Sequence, residues 1–230
     1  MAYTRQEILK QHDHYKAFSS KWEYYIRSFL GGEEYKEGRY LQEYNLELSN
    51  EFNKRLTYTP LDNHCRNIVH IYASFLFRNK PTRQFGSLEN DKTVPMFLND
   101  ADLEGRAYTS ILREMQTYAS VYGHCWAILD KPNSNAKTRA EELSQEIRPY
   151  LNIFTPENVI DWSYSRATSG KYYLDYLKVR EYIDSNKEIY RLWFQDRIDT
   201  VELSRVGSNE PKLIDSQEYP LGIIPAVILY

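Results

Sequence analysis

An α+β fold is predicted by three observations. Up to residue 122 the apolar residues recur at intervals of three and four. From Leu151 onward, short runs rich in aromatic and β-branched residues alternate with turns at Ser169-Gly170, Ser185-Asn186 and Gly207-Ser208-Asn209. No internal repeat breaks that order. A mainly helical half (1–122) is therefore expected to precede a mixed, strand-rich half (123–230) that ends in a meander of mostly antiparallel strands. The length of 230 residues suffices for a real core, and no linker is evident before the polar insert at 132–135.

Residues 5–30 read as one helix or two, with Tyr15, Phe18, Trp22, Tyr25, Ile26 and Phe29 on one side and Gly31-Gly32 as the stop. A turn near Glu37-Gly38-Arg39-Tyr40 leads to a shorter helix over 46–56. Pro60 can open the next helix, whose face carries Leu61, Cys65, Ile68, Val69, Tyr72, Phe75 and Leu76; such a face must be covered. Lys80-Pro81-Thr82 ends it, and a polar loop follows over 86–93.

Asp102 is placed to cap a second long helix with Tyr108, Ile111, Leu112, Met115, Tyr118, Ala119 and Tyr122 on its inner side, and Gly123 ends that helix. The run 125–129 is short and apolar enough for a buried strand, and 139–145 for a short helix. Strands are expected at 151–154, 172–180, 188–195, 199–204 and 223–230, while Pro156-Glu157-Asn158 begins a turn. Trp162 and Trp193 read as core anchors.

Composition narrows the function. With 42% hydrophobic and 27% charged residues the chain is globular, and a net charge of −3 argues against a large basic face held to nucleic acid. No stretch reaches the about eighteen apolar residues of a membrane span, so no membrane insertion by this region is expected. Cys65 and Cys125 read as buried thiols in a reducing compartment. Twenty-one tyrosines, many in polar segments, suit surfaces that become interfaces. The apolar last ten residues suggest an excerpt of a longer polypeptide.

Catalytic equipment is thin, and no cofactor is expected. Asp100, Asp102 and Glu104 before Gly105 imitate the start of a calcium loop, but the twelfth position is Ile111 where a bidentate Glu is needed; a cap and tight turn explain them better. His12 and His14 are two apart, His64 and His70 six apart, and His124 lacks a partner at metal-ligand spacing. There is no phosphate-binding glycine loop, dinucleotide fingerprint or nucleophile elbow. The enzyme alternative is a metal-dependent nuclease using Asp130, Glu157 and Asp161, which would have to converge on one ion. A monomeric adaptor is a third reading.

Charge is unevenly distributed. Glu33, Glu34, Glu37, Glu43, Glu47 and Glu51 make 33–51 acidic, and Lys54, Arg55, Arg66, Arg78, Lys80 and Arg83 make the following stretch basic. Two solvated faces account for this, and so do complementary faces of neighbouring subunits.

Four segments, in order, resemble the N-terminal wing portion of the portal proteins of tailed bacteriophages. They are Glu51-Phe52-Asn53-Lys54-Arg55-Leu56 through Asn67-Ile68-Val69 to Phe77-Arg78-Asn79-Lys80-Pro81; Asn99-Asp100-Ala101-Asp102-Leu103-Glu104-Gly105 with Val121-Tyr122-Gly123-His124-Cys125-Trp126-Ala127-Ile128-Leu129-Asp130-Lys131-Pro132; Arg148-Pro149-Tyr150 with Thr155-Pro156-Glu157-Asn158-Val159-Ile160-Asp161-Trp162; and Tyr219-Pro220-Leu221-Gly222-Ile223-Ile224-Pro225. The resemblance implies a non-enzymatic virion protein, assembled in the host cytoplasm into a ring of about twelve copies at one capsid vertex. Its implied partners are the major capsid protein, the terminase, the tail adaptor and double-stranded DNA passing through the channel. Stem, clip and crown elements would lie beyond residue 230. The expected subunit contact sets Arg78, Lys80 and Arg83 against Glu43 and Glu47 of a neighbour.

Overall fold

The computed structural model describes residues 3–59, 62–132, 134, 136–207, 209–218 and 221–230. The proposed helix start at Pro60-Leu61, part of the insert at Asn133 and Asn135, Ser208 of one turn and Tyr219-Pro220 lie outside the described residues. The architecture is α+β, with antiparallel sheets.

The N-terminal segment forms α1 (Arg5–Leu9) and α2 (Asp13–Leu30). Thr4 starts α1 with a reciprocal capping box, its side chain accepting from Glu7 N while the Glu7 carboxylate accepts from Thr4 N. Gly31 ends α2 at φ +68°, and a Cβ there would lie 2.4 Å from Asn63 Nδ2, so the position needs glycine on two counts. Beyond it come α3 (Gly32–Glu37), a helix that was not expected and that runs into the expected turn at Gly38-Arg39, then α4 (Ser49–Tyr58) and α5 (His64–Leu76). The start of α4 falls three residues later than expected because 44–47 close a turn instead.

A seven-residue helix, α6 (Thr93–Asn99), precedes α7 (Tyr108–Tyr122). Asp102 does not cap α7, as its position had suggested; Ala107 occupies the cap. The Asp102 carboxylate instead accepts from the backbone N–H of Glu104 and Arg106 and from the Arg106 side chain, closing a turn that includes Leu103 at φ +66°. Asp100 accepts from Gly105 N and from Arg148.

Strand β1 (Cys125–Asp130) is the centre of a three-stranded sheet, flanked by β2 (Tyr150–Phe154) and β8 (Ala226–Leu229); α8 (Arg139–Ser144) lies between β1 and β2 in sequence. The second sheet is a five-stranded meander of β3 (Val159–Arg166), β4 (Tyr172–Ile183), β5 (Lys187–Phe194), β6 (Arg197–Ser204) and β7 (Lys212–Glu218). Both edge strands of the meander were unexpected. β3 follows the turn at Pro156-Glu157-Asn158 directly, and β7 carries the polar sequence KLIDSQE, which lacks an apolar run.

Alternation along β5 and β6 explains the layers. Tyr190, Leu192, Val201 and Leu203 face α1 and α2 in a core with Ile8, Tyr15 and Trp22. Trp193 and Ile198 face the opposite way, packing with Leu177 and Val179 against Trp126 and Ile128 of the small sheet. The other side of that sheet, Cys125 and Ala127, meets Ile111, Met115 and Ala119 of α7. Trp193 is fully buried as an anchor, while Trp162 is half-buried and stacks on His12 with ring centroids 4.0 Å apart.

Candidate oligomer interface

The expectation that the face of α5 is covered fails within one chain. Asn63 caps the helix by accepting from Arg66 N, and donates through Nδ2 to Phe29 O at 2.8 Å. Arg66 donates to Phe29 O and Leu30 O, so the N-terminal end of α5 is fixed to the C-terminal end of α2. Further along, Arg113 of α7 donates to Ser74 Oγ. Only Ala73 is buried and Val69 half-buried, which gives α5 one narrow line of contact.

The rest of the helix is open. Ile68, Ile71, Tyr72, Phe75 and Leu76 are each more than half exposed, Phe75 at 69%. Part of this surface forms a groove of about 650 Å³ lined by Asn67, His70, Ile71, Ser74, Phe75 and Arg78. Five large apolar side chains on one helix form the kind of exposed patch that marks an interaction surface. Cys65, expected to be buried, is exposed on the same helix; Cys125 is buried and its thiol is pushed up to about 11, chiefly by burial.

A second apolar exposure lies between α3 and α4. Tyr44, Leu46 and Leu48 all face solvent, Leu46 at 99%. The turn beneath them is tightly held: Glu47 N donates to Tyr44 O, and Arg55 grips both oxygens of Glu47 at 2.8 and 2.6 Å while also donating to Gln42 O. The Arg55 guanidinium lies over the Tyr44 ring, 4.5 Å from its centroid. Its hydrogen bonds hold the Glu47 carboxyl below the usual range. Asn45, a turn-forming residue at the second position of 44–47, is the sequence signal for this turn, while the polar and apolar alternation at 43–48 would by itself suggest a strand.

The five expected interface residues thus divide. Arg78 lines the groove, and Lys80 and Glu43 are exposed. Glu47 is engaged by Arg55 in its own chain, and Arg83 donates to Thr109 and lies over the Tyr108 ring.

The carboxylates of the enzyme alternative are each engaged by other groups. Asp130 accepts from Arg191, Tyr150 and Lys131 N; Glu157 accepts from Tyr122 Oη at 2.7 Å; Asp161 lies 3.9 Å from Lys10. Among the described residues no group of three His, Cys, Asp or Glu side chains is placed to hold a metal ion. Likewise, no helix among them is long and apolar enough to cross a membrane.

No protein-family model matches the chain, and no curated protein matches it.

Proposed function

We propose that this chain forms the wing of a portal subunit of a tailed bacteriophage, a structural protein that works as a ring of about twelve copies. The observation that carries this reading is the uncovered apolar face of α5, a surface suited to burial against another protein. The ordered resemblance of four segments, from Glu51 to Pro225, supports it independently. In this account the ring sits at one capsid vertex beside the major capsid protein, admits double-stranded DNA driven by the terminase, and later holds the tail adaptor.

A mild net charge of −3 suits a conduit through which DNA must slide, because a strongly basic wall would retain it. Electron microscopy of the purified full chain tests the proposal. Closed rings of about twelve subunits support it, and dispersed single particles of monomer size contradict it.

A further inference from the structure

We infer that the turn at 44–48 of one copy docks into the α5 groove of the next, with Leu46 as the apolar anchor and Glu43 facing Arg78. This rests on the ring reading above and names the contact that would build it.

Three observations converge. First, the chain presents both a knob and an open groove, and covers neither itself: Leu46 is 99% exposed, and the residues lining the groove are exposed as well, Ile71 at 53% and Phe75 at 69%. Second, the knob is ordered before it binds. The bidentate Arg55–Glu47 pair, the Tyr44 O to Glu47 N hydrogen bond and the stacking of Arg55 on Tyr44 fix the turn, so little conformational freedom is lost on docking.

Third, the charges match. The turn is flanked by Glu43 and Glu51, both exposed, whereas the groove carries Arg78 at one end and is followed by exposed Lys80. That pairing selects a second copy of this chain over an unrelated partner. The two patches are different surfaces, so the contact is head-to-tail and propagates from copy to copy, closing into a ring when the rotation allows. It also revises the residue pairing: Glu47 shapes the knob through Arg55, and Glu43 makes the intermolecular contact.

A benzophenone amino acid at position 46 of the full chain, irradiated in a mixture of ¹⁴N- and ¹⁵N-labelled protein, tests the contact. Isotopically mixed cross-links from 46 to peptides within α5 are expected. Leu46→Asp should weaken self-association at least about tenfold without unfolding so exposed a site. Glu43→Arg should weaken it too, and adding Arg78→Glu should restore it. Cross-links confined to single chains or to another face, or rings unchanged by Leu46→Asp, overturn this inference and leave the portal reading standing. A wild-type chain that is monomeric at every concentration overturns both.

Discussion

Arg191 of β5 donates to Asp130 of β1 at 2.8 Å, so one guanidinium ties the five-stranded meander to the three-stranded sheet. Tyr150 of β2 donates to the same Asp130 oxygen at 2.9 Å. Asp130, one of the three carboxylates of the enzyme alternative, is a joint between layers.

Removing that charge should therefore act on stability. Asp130→Asn leaves Arg191 with its partner Glu181 but weakens a charge-assisted hydrogen bond to β1, and about 2 kcal/mol should be lost from the unfolding free energy. Urea denaturation measures it; an unchanged midpoint would contradict the role assigned to the pair.

Lys178 is fully buried, and its ammonium donates to the carbonyls of Glu7, Ile8 and Lys10 at the end of α1. Lys178→Met would strand those three acceptors and should cost about 2–4 kcal/mol. Burial pushes Lys178 down to about 8 from 10.5, partly opposed by the nearby Asp161. Between those two values the unfolded chain binds more protons than the folded one, so this group's contribution to stability rises with pH. Below about 8 its penalty is fully present. Comparing wild type with Lys178→Met from pH 8 to 10 should reveal a slope that only the wild type has.

Gly31→Ala should loosen the junction of α2 and α5. The added methyl must displace the Asn63 amide that caps α5 and binds Phe29 O, and φ +68° is itself unfavourable for alanine. A loss of about 1–2 kcal/mol in thermal or chemical unfolding is expected, larger than for Gly32→Ala, where open space surrounds the new atom.

Phe75→Ser separates interface from core. At 69% exposure the ring contributes little to folding of one chain, so monomer stability should change by less than about 0.5 kcal/mol, while the assembled fraction falls. Unfolding measured at low concentration, beside sedimentation at high concentration, distinguishes these effects.

The periodic apolar residues made α2, α5, α7 and most of the meander legible in the sequence, because their patterns report directly which side chains must leave water. The pattern could not say whether the chain itself does the covering, and on α5 it does not. Lys178 was hidden for a related reason: a lysine in a strand reads as solvent-facing until α1, some 170 residues away in sequence, brings three carbonyls to it. Asp102 was legible as a turn-former but not as to which turn, since its partners are local N–H groups shared by caps and loops alike. The Arg55–Glu47 clamp spans eight residues across a loop and a helix, outside any helical spacing rule.

The mass of the full chain's assembled state, measured in solution across a concentration series, bears most directly on the central claim. A closed species of about twelve subunits that loses mass when Leu46 becomes Asp is the predicted result. A single chain mass at every concentration, with the α5 face still open to solvent, would contradict it.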